Sequence, residues 1–351
     1  MDLSKLSIFN RVSLKDRAFL AREMSIMLGA GITLDKALRI LSDRNKNSTI
    51  RLAMEEILTD IEAGQKFSVA ITKHPEIFDN IFVNVVLAGE AAGKLDEVLI
   101  KVSDWLEEQN DFYSKLKNAL VYPVFIIIVM IIIGIIMIVK VIPQLQEVFS
   151  SYQASLPWTT KALISFSVLL TKYWWLFITG LVSMFYAIIY WSKLTSGRHF
   201  FDKIKIIEPT GLGQDIYMSR FSRTMHLLLK SGVSIINALD VSAATINNVW
   251  YQESLKVIVS NIEKGVPLSI PLEKNRLFPA IFTQMVVVGE QTGRMDEILG
   301  SIANYYEQQT DNKLKGIVSL IEPLLIVLVG LLVGFMVFAI IMPIYNLARL
   351  M

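Results

Sequence analysis

Cysteine is absent from this 351-residue chain, histidine occurs three times, and only 19% of the residues carry charge. Without thiols there is no disulfide and no thiolate metal site, although the redox compartment stays open. His74, His199 and His226 do not fall at metal-ligand spacing. His226 lies in an apolar helical stretch, so packing is its expected role. A phosphate-cradling GxxxxGK followed by Ser or Thr is missing, so the chain is not expected to hydrolyse ATP itself. The short "GLGQDI" from Gly211 follows no apolar strand and reads as a turn. No nucleophile–base set can be assembled, so neither an enzyme nor a cofactor is expected. A net charge of +2 is too small to argue for direct nucleic-acid binding.

Apolar residues are what the chain has in excess. They make up 53% of it, and mean hydropathy is +0.49. A soluble domain is about 45–50% apolar and about 25% charged. This chain is too apolar for a wholly soluble protein and too charged for a wholly embedded one. Three runs are long enough to cross a bilayer: Tyr122 to Pro143, Tyr173 to Trp191 and Glu322 to Pro343. About 20 helical residues cross the ~30 Å of hydrocarbon. Tyr173, Trp174 and Trp175 at one end of the second run, and Tyr190 and Trp191 at the other, read as interfacial belts. The preceding "ALISFSVLL" is too short to span and is expected at the membrane surface. Lys140 sits at a span end, where it can snorkel, and Glu322 at the start of the third span. No ionisable residue falls mid-span, which argues against a proton-coupled carrier or an ion channel. Gly330 and Gly334 form a GxxxG pattern suited to close helix packing.

The first twenty residues have no continuous apolar core, so no signal peptide is expected. With the N-terminus inside, Lys115, Lys117, Lys193, Arg198, Lys203, Lys205, Lys313 and Lys315 flank the spans on the cytoplasmic side. Lys140, Lys161, Lys172 and Arg349 then fall outside, and the bias agrees with this orientation.

The chain also repeats itself. "VVLAGEAAGKLDEVL" from Val85 returns as "VVVGEQTGRMDEIL" from Val286. "MLGAGITLDKAL" from Met27 returns as "LLKSGVSIINAL" from Leu228, and "IEAGQKFSVAI" from Ile61 as "IEKGVPLSIPL" from Ile262. Arg22 and Met24 return as Arg223 and Met225, and the repeated positions stand 200 or 201 residues apart. Pro123 and Pro143 bracket the first span as Pro323 and Pro343 bracket the third. One unit is thus a soluble domain plus a span. The middle span returns the second unit to the same side, giving a parallel repeat rather than the inverted repeat of many transporters.

Each soluble half reads as about six short helices. Leu14, Ala18, Ala21, Met24 and Leu28 form a helical stripe. Gly31 and Gly232 end a helix, and Thr33 and Ser234 follow as N-caps. The fold class is therefore all-α: two tandem six-helix bundles with three transmembrane helices. The expected divisions are an arm 1–13, repeat 1 at 14–119, spans at 120–143, 173–192 and 320–343, an outside loop 144–172, repeat 2 at 193–319, and a tail 344–351.

In the doubled "GE" stretch, Gly93 and Gly293 stop one helix. Asp96–Glu97 and Asp296–Glu297 open the next, where the helix dipole favours negative charge. One reading is a turn between packed helices. A sharper one is a partner-docking surface or a cation site built by Glu90, Asp96, Glu290 and Asp296, although the spacing matches no known cation loop.

These features together resemble the platform proteins of type IV pilus assembly and type II secretion, the type II secretion F / pilus C family. "ALVYPVF" before the first span, "IEPLLIVLVGLLVGF" at the third, and the doubled Gly-Glu motif carry the resemblance over residues 14 to 345. It implies a non-enzymatic platform in a bacterial inner membrane, multi-pass, with its N-terminus cytoplasmic. A hexameric cytoplasmic ATPase would engage the bundles, and the spans would receive prepilins or pseudopilins from the bilayer. Other inner-membrane assembly proteins, lipid and further copies of the chain complete the implied partners. Candidate docking residues are Glu90, Gly93, Asp96, Glu97, Glu290, Gly293, Asp296 and Glu297. Candidate transmembrane packing residues are Gly330, Gly334, Pro123 and Pro323. Longer family members carry a tail before the first bundle, and contacts made through such a tail are not implied here.

Overall fold

The computed structural model describes residues 12–144 and 158–348, and all regular structure among them is helical. Residues 1–11 of the expected arm, 145–157 of the expected loop and 349–351 of the tail lie outside the described residues. The helices are α1 (Leu14–Gly29), α2 (Leu34–Arg44), α3 (Ser48–Glu62), α4 (Phe67–Ile71) and α5 (Asn80–Ala92). They continue with α6 (Leu95–Ile136), α7 (Trp158–Lys193), α8 (Thr195–Ile207), α9 (Leu212–Lys230) and α10 (Ile235–Thr245). The last four are α11 (Val249–Glu263), α12 (Ser269–Glu273), α13 (Ala280–Thr292) and α14 (Met295–Ala348).

The chain divides into two compact units. Among the described residues, the first holds 12–115 and 199–311. Within it, α1–α5 with the start of α6 form one bundle, and α9–α13 with the start of α14 form its counterpart. Both are built from the same local signals. Asn47 caps α3 by accepting from Thr49 N at 3.0 Å, and Asn248 caps α11 by accepting from Trp250 N at 3.0 Å. Ser13 and Asp16 close a reciprocal capping box at the start of α1, an arrangement worth about 1 kcal/mol. The core repeats as well. Met24, Leu38, Ile57, Phe82, Val86, Leu99 and Val102 are buried in the first bundle. Met225, Leu239, Ile258, Phe282, Val286, Leu299 and Ile302 are buried at the matching places in the second. Each such side chain contributes about 1.5–3 kcal/mol by leaving water. The two sets merge into one hydrophobic cluster, with α5 packed against α9 and α10.

The stretch between the second span and α9 adds one helix to the expected six. Residues of α8 tie down the N-terminus of α11: Asp202 Oδ2 accepts from Val249 N at 3.1 Å, and His199 O accepts from Trp250 Nε1 at 3.1 Å.

Among the described residues, the second unit holds 116–144, 158–198 and 312–348. Three helices among the described residues are long and apolar enough to cross a membrane. The first and third are continuations of the last helix of each bundle. α6 runs for 42 residues and α14 for 54, about 60 and 80 Å at 1.5 Å per residue. Pro123 lies inside α6, and Pro323 and Pro343 lie inside α14. A proline there removes one ladder hydrogen bond without ending the helix, because neighbouring turns hold the register. A short π-helical turn, Met137–Val141, follows α6 and contains Lys140. "ALISFSVLL" belongs to α7, but Tyr173, at φ −114° and ψ 20°, breaks the helix between it and the second span.

Candidate functional site

The doubled Gly-Glu motif is a clasp between three helices. Gly89 and Gly289 sit in the last turns of α5 and α13, against the first turn of the next helix. A Cβ on Gly89 would overlap the Val98 side chain, and one on Gly289 would stand 3.2 Å from Ile298 Cβ and Met295 Sδ. The adjacent carboxylate reaches sideways. Glu90 accepts from Phe67 N at 2.7 Å, from Ser68 N at 3.1 Å and from the Ser68 hydroxyl. Glu290 does the same to Leu268 N at 2.6 Å, Ser269 N at 3.2 Å and Ser269 Oγ at 2.5 Å. Lys66 and Leu268, the N-cap residues of α4 and α12, offer no capping side chain, so the glutamate supplies the cap from another helix. Gly93 and Gly293 then take φ 68°, the left-handed conformation that lets the chain turn from α5 into α6 and from α13 into α14.

Asp96 and Asp296 follow in the first turns of α6 and α14. Their backbone carbonyls anchor the turn: Ser25 Oγ donates to Asp96 O at 2.8 Å, and His226 Nδ1 lies 2.6 Å from Asp296 O. Where the second bundle has the larger His226, it has Gly300 in place of Ile100, and the imidazole fills the space a Cβ there would need. Glu97 pairs with Lys94 at 3.1 Å, and Glu297 pairs with Arg294. Glu97 and Glu297 remain about half exposed, so the charged tip of each turn faces solvent. The four carboxylates Glu90, Asp96, Glu290 and Asp296 do not converge. Among the described residues no group of three His, Asp or Glu side chains is close enough to hold a metal ion.

A second doubled feature lies along α6 and α14. Arg22 reaches from α1 to Asp104 Oδ1 at 2.6 Å and Glu107 Oε2 at 2.9 Å. Arg223 reaches from α9 to Asn304 Oδ1 at 2.8 Å and Glu307 Oε2 at 2.9 Å. In the second bundle this clamp also grips the first. Arg223 Nε lies 3.2 Å from Glu108 Oε2, and Lys115 Nζ lies 3.2 Å from Glu307 Oε1 and 3.6 Å from Asp311 Oδ2. Lys101 Nζ donates to Lys230 O at 2.9 Å, at the carbonyl end of α9, where the helix dipole favours a cation. Arg220 lies over the Tyr113 ring, 5.7 Å from its centroid. Partial burial pushes Glu108 above its usual range, although Arg223 pulls the other way. Hydrogen bonding to Glu307 raises Lys115. Lys101, Trp105, Glu108, Arg223 and Lys230 border a cavity of about 120 Å³ between the bundles.

Sequence reasoning singled out Arg22 and Arg223 as a repeated pair without giving them partners. It missed Ser68 and Ser269 as well as the acidic pair on α6. One signal was available: Glu107 and Glu307 stand at the repeat offset, on the solvent stripe of a helix already expected. Gly330 and Gly334 lie on α14 with open space where a Cβ would stand.

The family model described as "Type II secretion system (T2SS), protein F" matches residues 20–143 and again 221–343. The chain belongs to the type II secretion protein F family. The two matched segments of this protein F domain each contain one clasp, one arginine clamp and the helix that leads into a span. Relatives carry two kinds of name. A type IV pilus assembly protein PilC of Thermus thermophilus is 33% identical over 95% of this chain and 82% of its own length. A type IV pilus assembly protein PilC of Myxococcus xanthus is 30% identical over 97% of this chain and 82% of its own. A type II secretion system protein F of Xanthomonas campestris is 26% identical over 93% of this chain and 82% of its own.

Proposed function

We propose that this protein is an inner-membrane platform for assembling a type IV pilus or a secretion pseudopilus. Its bundles would lie in the cytoplasm, with the N-terminus on the same side. A motor ATPase would act on the bundles, and prepilin or pseudopilin subunits would meet the spans. The observation that carries this reading is the continuity of α6 and α14, each running without a break from a clasp into an apolar span. A stiff helix of this length can hand a displacement at its bundle end to its membrane end. The chain's role is then mechanical and organisational, with no catalytic step assigned to it. Self-association into a homo-oligomer and contact with other inner-membrane assembly proteins belong to the same proposal.

Within it, the motor meets Asp96, Glu97, Asp296 and Glu297 at the exposed clasp tips. Glu90, Glu290, Gly93 and Gly293 hold those tips in shape. Gly330 and Gly334 leave the third span a smooth face for another transmembrane helix, while Pro123 and Pro323 mark where α6 and α14 pass into the bilayer. Reversing charge at Asp96 with Glu97, or at Asp296 with Glu297, should abolish filament assembly or secretion while the protein stays folded and in the membrane. Normal assembly in such a strain would remove the clasp tips from the proposal. The direct test is crosslinking in native membranes, followed by purification of this chain and mass spectrometry. A secretion-type ATPase joined to residues 14–117 or 200–315, with a prepilin joined to the spans, is the expected result. Recovery of a different complex or a soluble substrate would overturn it.

A further inference from the structure

Within the chain, the α5–α6 side of the first bundle sits on the α9–α14 side of the second. The seat consists of Leu227, Arg223, Arg220 and the C-terminal carbonyls of α9, with Glu307 and Asp311 on α14. Duplication makes a second seat of the same kind on the first bundle. Its matching positions are Ile26, Arg22, Phe19 and the end of α1, with Glu107 and Asp111 on α6. The two seats differ in one respect. Leu227 is 4% exposed, beneath the first bundle, whereas Ile26 is 61% exposed and Phe19 59%. Glu307 is 24% exposed and Glu107 52%. Phe19, Arg22 and Ile26 stand three and four residues apart, so they form one stripe of α1. Beside it lies a hollow of about 390 Å³ lined by Lys15, Phe19, Arg22, Glu107 and Asp111.

We infer that this open seat receives the second bundle of another copy of the chain, in the way the second bundle's seat receives the first bundle. The second bundle has the matching plug on α14. Trp105 is 7% exposed in the in-chain contact, but its counterpart Tyr305 is 36% exposed. Gln308 replaces Glu108, and its amide oxygen is able to accept from the arginine as the carboxylate does. Lys315 stands at the Lys115 position, so the acidic pair Glu107 and Asp111 meets the cation that Glu307 and Asp311 meet within the chain. The cation–π pair is inverted: Lys313 replaces Tyr113, and Phe19 replaces Arg220. Because seat and plug are different surfaces, the contact is heterologous, and repetition closes a ring or extends a row. It deepens the homo-oligomeric part of the function proposed above by naming its two faces. It does not depend on which machine the chain serves.

The absence of cysteine makes the test specific, since any thiol crosslink reports only the positions given thiols. The full chain carries Ile26→Cys together with Tyr305→Cys, and native membranes are treated with a short bismaleimide. The in-chain counterparts of these positions, Leu227 and Trp105, line one cavity. The expected result is covalent dimers and larger multiples from the double variant, with none from either single variant. Adding Glu107→Lys should lower the crosslinked fraction severalfold, and Lys315→Glu on the same chain should restore it. Dimers from Ile26→Cys alone would show a two-fold contact of like surfaces and overturn the inference. So would a double variant that stays monomeric while Lys101→Cys with Lys230→Cys crosslinks inside one chain. If filaments still assemble in that strain, the platform reading stands and only this contact falls.

Discussion

The two bundles hold themselves together in the same way and face the rest of the molecule differently. In both, a glutamate on the fifth helix caps the fourth, a glycine lets the fifth touch the sixth, and an arginine on the first grips acidic or amide groups on the sixth. In the second bundle that arginine is also half of a contact with the first. Arg223 is 13% exposed and held by three groups, whereas Arg22 is 28% exposed and held by two. Duplication therefore copied an internal scaffold exactly where the core needed it and freed a surface for a new use. What the scaffold shares is a matter of folding; what the surfaces do not share is where association is decided.

The largest expected effect tests what is shared. Glu90→Ala and Glu290→Ala each leave two backbone N–H groups and a hydroxyl without their acceptor, a loss of about 2–3 kcal/mol. Thermal unfolding of the detergent-solubilised chain should show similar shifts for the two variants. A large shift for one alone would mean the clasps are not equivalent. The next test separates the arginines. Arg223→Ala should cost about 2 kcal/mol because half-buried Glu108 loses its partner and Glu307 keeps only Lys115, and Arg22→Ala less than about 1 kcal/mol, as for an exposed pair. Equal costs would deny that the second clamp has a second task.

A smaller contrast concerns the glycines. Gly89→Ala drives a methyl into the stiff, branched Val98, an overpacking cost of about 1–3 kcal/mol. At Gly289 the neighbours include flexible Met295, so Gly289→Ala should cost less in the same assay.

The smallest effect is a pH dependence. Glu108 is raised above its ordinary 4.5 by burial, so its folded form holds a proton more tightly than the unfolded chain does. Its contribution to stability is present below the ordinary value and is lost as pH rises through the raised one. The stability difference between the native protein and Glu108→Gln should therefore fall across that window. A difference that is flat with pH would contradict the burial of this carboxylate against the second bundle.

Much of the fold was legible because its signals are local or periodic. The repeat offset, the left-handed Gly31, Gly93, Gly232 and Gly293, and the three apolar runs depend on neighbours within a few residues, and the helices follow from them. Two elements were hidden. Helices α6 and α14 do not stop at the membrane edge, because Pro123 and Pro323 suggest a boundary that the surrounding helical turns override. α8 lacks a counterpart among the described residues, so repetition could not announce it. The candidate site was legible as a pattern but not as a mechanism. Glu90 lies 23 residues from Phe67, and Arg223 lies more than a hundred from Glu108. No spacing rule links such pairs, and only the folded bundle brings them together.

The central claim is that α6 and α14 carry displacement from bundle to span. It is tested most directly by softening those helices between the two. Lys117 and Asn118 in α6 would both be replaced by glycine, with Ile317 and Val318 treated likewise in α14, at a cost of about 1 kcal/mol of helix propensity per position. Filament assembly or secretion would then be measured beside membrane content and unfolding temperature. The account predicts normal membrane content, an unfolding temperature lowered by no more than the roughly 4 kcal/mol of lost helix propensity implies, and loss of assembly. Full assembly with both helices softened would contradict it.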